Sequence, residues 1–218
     1  MDLQALTLFY MEIIGTIAFS VSGAMVGIKL GMDLFGVMVL GCCTACGGGL
    51  LRDVILGRLP AFLANHLYIG IAALAAVVTF VVVYANRHHF AGLHGRARRV
   101  YDLSMLITDA IGLAAFTVVG ISVSMGLGHG ENTLLLVFMG CLTAAGGGLL
   151  RDTMAGVKPY IFTKHIYALA SIFGGLVFVW LHRAGHPFAA MAVSSGLILL
   201  IRVLAAHYRW NLPKIPAP

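Results

Sequence analysis

The chain has 218 residues, of which 60% are hydrophobic and only 10% charged, with a mean hydropathy of +0.97 and a net charge of +6. Soluble domains average about half apolar and a quarter charged, so the composition excludes a soluble globular protein and predicts an all-α integral membrane protein. The length admits about seven helices of some 20 residues with short connections, which leaves no room for a separate soluble domain and makes 1–218 one membrane domain.

The first apolar span, 6–28, follows Met-Asp-Leu-Gln with no basic leader and no convincing small-residue cleavage site, so it is expected to stay in the mature protein. It carries Glu12, Gly15, Phe19 and Gly23. The second span, 34–56, contains Gly41-Cys-Cys-Thr-Ala-Cys and then Gly47, Gly48 and Gly49, two leucines, Arg52 and Asp53. The sequence from Gly57 to Pro60 reads as a helix stop. The third span, 66–85, opens on His66-Leu-Tyr68, and a basic loop with Arg87, Arg96, Arg98 and Arg99 follows it.

The fourth span, 103–125, repeats the first at a spacing of 97 residues: Asp109, Gly112, Phe116 and Gly120 stand where Glu12, Gly15, Phe19 and Gly23 stood. The fifth, 133–155, repeats the second at a spacing of 99, with Gly146, Gly147, Gly148, Arg151 and Asp152, and a second stop from Gly156 to Pro159. A two-residue length change therefore falls in the connection between the fourth and fifth spans. The sixth span, 165–182, opens on His165-Ile-Tyr167 and matches the third. The seventh, 188–207, has no mate.

Two three-helix units, 6–85 and 103–182, plus a seventh helix at 188–207 follow. A unit with an odd number of spans must insert its second copy upside down, giving an inverted 3+3 repeat about an axis in the membrane plane. Lys29, Arg87, Arg96, Arg98, Arg99, Lys158, Lys164, Arg209 and Lys214 fall on one side of such a layout, and only Arg58 and Arg183 on the other. The positive-inside rule then places the N-terminus outside and the C-terminus in the cytoplasm. The basic excess sits in juxtamembrane loops without a recognition module, so no nucleic-acid partner is expected, whereas anionic membrane lipid suits it.

Three glycines in a row weaken a helix, and an Arg-Asp pair resists leaving water. Their double occurrence predicts kinked second and fifth helices around a hydrated passage; close packing of small faces is the bland alternative. Arg52 and Arg151 are expected to face water or a partner, or else to snorkel to headgroups as interfacial anchors. Asp53 and Asp152 lie roughly 100° around the helix from them, so they are expected to cap or pair with another helix instead of neutralising their own neighbour. Glu12 and Asp109 are candidate partners of the arginines or charges at the rim of a pore. Arg202, unmatched, reads as a snorkelling anchor near the cytoplasmic end. Cys42, Cys43, Cys46 and Cys141 read as buried thiols; no metal site, nucleophile motif or cofactor fingerprint is present, and an enzyme is not expected.

The doubled Gly-Gly-Gly-Leu-Leu-Arg-Asp, the downstream Gly and Pro, and the three-plus-three-plus-one layout resemble the prokaryotic members of the trimeric intracellular cation (TRIC) channel family, also known as the UPF0126 membrane family. The resemblance covers about 6–207. It implies a homotrimer in the bacterial inner membrane, each subunit with its own pore passing potassium and less selectively sodium, with Gly47, Gly48, Gly49, Gly146, Gly147 and Gly148 as the kinks. By the same match, Arg52 and Arg151 are the basic residues near the pore. Animal relatives have a Lys-Glu motif after the glycines that helps hold an inositol lipid, whereas this chain has Leu-Leu-Arg-Asp there, which argues against inositol-lipid regulation. Some bacterial proteins with this repeat are described as glycine transporters, so a small-amino-acid carrier is the alternative function.

Overall fold

The computed structural model describes residues 3–87, 94–163 and 166–210. Every regular element among them is helical. Helix α1 (Leu3–Lys29) is followed by α2 (Leu34–Ile55), the short α3 (Ala61–Ala64) and α4 (Leu67–Ala85). Then come α5 (His94–Ser124), α6 (Thr133–Met154), the short α7 (Tyr160–Thr163), α8 (Ala168–Arg183) and α9 (Pro187–His207). Six helical segments are long and apolar enough to cross a membrane; Ala168–Arg183, with 16 residues, is shorter. At 1.5 Å per residue α8 spans about 24 Å, somewhat less than a hydrocarbon core. His165, which begins the expected sixth span, lies outside the described residues, as do the basic Lys164 and Lys214.

Local chemistry fixes the helix ends in matched pairs. Asp33 Oδ1 accepts the Gly36 amide at 2.7 Å and Asn132 Oδ1 the Leu135 amide at 3.0 Å, capping α2 and α6. At the other ends Gly57 and Gly156 take φ of +67° and +65°. Arg58 N–H reaches back to the Asp53 carbonyl and Val157 N–H to that of Asp152, so each helix stops in the same Schellman turn. The expected stops therefore stand. Helix α5 runs into a π-helical turn, Met125–His129, at the connection where the two-residue length change arises.

Helices α1, α2, α5 and α6 form the centre. Helix α4 packs outside α1 and α2, while α8 and α9 cover α5 and α6. Because lipid tails are as apolar as leucine, helices in a membrane are held by close approach and by buried polar contacts. Both occur here. Ser20 Oγ donates to the Ala72 carbonyl at 2.5 Å, and at the matched positions the Thr117 and Ser171 hydroxyls meet at 2.7 Å. The Phe19 and Phe116 rings sit 5.3 Å apart where α1 meets α5.

The glycine triplets lie where α2 crosses α6. Helical structure continues through both, and their middle residues make the closest backbone approach. A Cβ at Gly48 would collide with the Thr143 carbonyl, and one at Gly147 with the Thr44 carbonyl. Small-face packing thus accounts for the middle glycine of each triplet, and neither triplet interrupts its helix. The cysteines are free and half-buried, more open than the sequence reading had them.

Candidate functional site

One turn beyond each triplet an Arg-Asp pair enters the interior. Arg52 and Arg151 are 2% and 0% exposed, so neither snorkels to headgroups. The third glycine of each triplet lies beside the guanidinium: a Cβ at Gly49 would stand 3.8 Å from Arg52 Nη2, and one at Gly148 3.6 Å from Arg151 Nη2, both ordinary contact distances.

The aspartates overturn one expectation. Arg52 Nε donates to Asp53 Oδ1 at 2.8 Å, and Arg151 Nε to Asp152 Oδ1 at 2.7 Å, so each pair does join its own neighbour. Angular separation at the backbone is about 100°, but the arginine stem is long enough to fold around that arc and present Nε sideways. The capping half of the expectation stands. Asp53 Oδ2 accepts the Ala61 amide at 2.9 Å and Asp152 Oδ2 the Tyr160 amide at 2.7 Å, tying α3 and α7 to the ends of α2 and α6. A buried carboxylate saturated in this way fixes the direction of its arginine.

Beyond this shared unit the two arginines diverge. In the first half Arg52 borders a cavity of about 40 Å³ together with Glu12, Thr16, Gly49, Tyr68 and Thr143. That space would hold a few waters. Glu12 receives a hydrogen bond from the Tyr68 hydroxyl, and the ion pairs of Arg52 among the described residues go to Asp53 alone. Asp53 also faces Arg58 at 3.6 Å. Glu12 is therefore across the cavity from Arg52 and not its ion-pair partner.

In the second half Arg151 Nη1 donates to Asp109 Oδ1 at 3.0 Å and to Ser22 Oγ, from α1, at 2.6 Å. Asp109 is 2% exposed. Arg202 completes this corner. It is 0% exposed, its Nη2 stands 4.0 Å from Asp109 Oδ2, and its Cζ lies 4.7 Å from the centre of the Tyr167 ring and 5.5 Å from that of Tyr160. The reading of Arg202 as a snorkelling anchor is thus wrong. The face of α9 that carries it turns inward against α5 and α8, a direction that an isolated apolar helix does not disclose. Tyr68 and Tyr167 were visible as a matched pair at a spacing of 99 but not as neighbours of the acids. Ser22, matched with Val119, gave no signal.

Comparison with known proteins places the chain. A family described as "Glycine transporter" matches residues 9–84 and 106–183. The UPF0126 inner membrane protein YadS of Escherichia coli (strain K12) is 34% identical over 95% of this chain and 94% of its own length. The UPF0126 membrane protein YvgT of Bacillus subtilis (strain 168) is 34% identical over 93% of this chain and 94% of its own length. The chain belongs to the UPF0126 membrane protein family. Its fold is that of solved TRIC cation channels. One is 34% identical, with a TM-score of 0.78 over 96% of this chain and 97% of the other. The TRIC orthologue from Rhodobacter sphaeroides is 29% identical, with a TM-score of 0.82 over 93% and 98%. A prokaryotic TRIC channel studied in potassium chloride gives 28% and 0.83, over 95% and 100%.

Proposed function

We propose that this UPF0126 member is a passive, potassium-permeable channel for monovalent cations, working as a homotrimer in the bacterial inner membrane with one pore in each subunit. The observation that carries the reading is the cavity beside Arg52, an intramembrane cation next to a space large enough for water, in a fold shared with cation channels. Intramembrane charges facing such a space mark ion pathways. The path runs from the Glu12 end past Arg52 and across the α2–α6 crossing to Arg151 and Asp109. Arg52 and Arg151, steered by Asp53 and Asp152, are its gating cations, and the triplets are where α2 and α6 bend. The matched contacts on the two sides of the crossing support an inverted repeat of 6–85 and 103–182, with α8 as a crossing and α9 as the seventh helix. The basic loops support an external N-terminus, a cytoplasmic C-terminus and contact with anionic lipid; no cofactor, enzymatic role or nucleic-acid partner is part of the reading.

The test is purified protein in liposomes and planar bilayers containing potassium salt and no organic solute. Unitary steps under voltage are expected, and smooth, voltage-independent leak at the background level refutes the channel. A second reading has one observation in its favour, the description of the matching family as a glycine transporter. A carrier would show saturable uptake of labelled glycine without unitary steps.

A further inference from the structure

Asp109 is a single buried carboxylate with two arginines beside it. Its Oδ1 accepts from Arg151, while its Oδ2 has no hydrogen-bond partner and faces Arg202 Nη2 at 4.0 Å. On the other side of that gap, none of the three guanidinium nitrogens of Arg202 has a hydrogen-bond partner among the described residues. Arg151 Nη2 and the Tyr167 hydroxyl are likewise unmatched and buried around the same acid. Unsatisfied buried polar groups are rare, and those around this carboxylate leave a second arrangement of bonds open to it. The Tyr160 and Tyr167 rings support the Arg202 guanidinium at a cation–π distance.

Resting on the channel reading, we infer that Arg202 is a positioning residue of the gate, which takes over Asp109 when Arg151 moves off. If Arg151 were the only cation near Asp109, its departure would strand a buried carboxylate, a change that strongly disfavours the open state. A second guanidinium one short movement away removes that obstacle. Arg202 need only close the gap to Oδ2 while keeping its place over the rings. Arg151 keeps Asp152 as it goes, since that bond is made through Nε within its own helix. Among the described residues the first half has no such device: the fourfold correspondence of acid, arginine, aspartate and tyrosine is complete at Glu12, Arg52, Asp53 and Tyr68, but α9 has no mate to bring a second cation to Glu12.

The experiment compares native protein with Arg202→Met, Arg202→Lys, Asp109→Asn and the double variant Asp109→Asn/Arg202→Met in planar bilayers. Arg202→Met is expected to lower open probability at least tenfold with unitary conductance unchanged, and Arg202→Lys to recover part of the loss. With the carboxylate neutralised there is nothing to strand, so adding Arg202→Met to Asp109→Asn should leave open probability where Asp109→Asn alone sets it. An Arg202→Met channel with native open probability, or the same loss on both backgrounds, overturns the inference. Should Arg202→Met fail to assemble, Arg202→Lys and Arg202→Gln carry the same comparison. The melting temperatures in detergent of the native protein, Arg202→Met, Asp109→Asn and the double variant supply a second readout, in which Asp109→Asn should cost less when Arg202 is already gone; additive losses count against sharing. Absence of unitary currents from the native protein would overturn the channel reading instead, and the melting cycle would still decide whether Asp109 is shared.

Discussion

Arg52 and Arg151 start from the same local circumstances: a glycine triplet, two leucines, a following aspartate that binds Nε, and a short helix capped by the second aspartate oxygen. Their surroundings then part. Arg52 looks into a cavity whose acid, Glu12, is held by Tyr68, whereas Arg151 is enclosed by Asp109, Ser22 and the neighbouring Arg202. The difference teaches that a duplicated sequence unit sets the direction of a side chain, and that the helix packed outside it decides whether the side chain meets water or a partner. Here α9 stands over the second unit alone.

The largest effect should fall on what the halves share. Gly48→Leu and Gly147→Leu each drive a side chain into a carbonyl of the opposite helix, and both should abolish assembled protein by size-exclusion chromatography. If one of the two assembles normally, the crossing is not symmetric. Next comes the contrast between the acids. Removing one partner of a buried ion pair costs about 3–5 kcal/mol, so Asp109→Asn should lower stability in thermal or denaturant unfolding by that order. Glu12→Gln, which disturbs a hydrogen bond at a cavity, should cost about 1–2 kcal/mol. Equal losses would erase the distinction between an enclosed and an open half.

Smaller still is the expected change in current on removing Arg52. A unit charge about 4 Å from a permeant cation in water contributes about 1 kcal/mol. Arg52→Ala is therefore expected to raise unitary potassium conductance by about fivefold while the protein stays assembled. Unchanged conductance would take Arg52 out of the pore. Arg151→Ala should act first on stability, because it leaves Asp152 without its cation and Asp109 with Arg202 alone. The smallest effect belongs to Arg58, about a third exposed at 3.6 Å from Asp53; Arg58→Gln should shift stability by less than about 1 kcal/mol.

Much of this was legible in the chain. The apolar spans, the matched stops at Gly57 and Gly156, and the recurrence of Arg-Asp inside the membrane need only residue spacing and the free energy of burying charge. The neighbour pairing of Arg52 with Asp53 was misread because spacing along a helix gives the angle between two Cα positions, not where the end of a long side chain comes to lie. The glycine triplets carried two meanings, bending and close approach, and only the opposing carbonyls of Thr143 and Thr44 reveal that the middle glycines make close approach possible.

By itself the sequence determined a membrane-embedded helical protein with a doubled, charge-bearing segment, because hydropathy and repetition are properties of the chain taken one residue after another. The tertiary structure decided which acid each arginine meets, that Arg202 points inward, and that a cavity opens beside Arg52. Those outcomes depend on how helices far apart in sequence lie against one another, and α9 has no repeat partner from which its orientation could have been read.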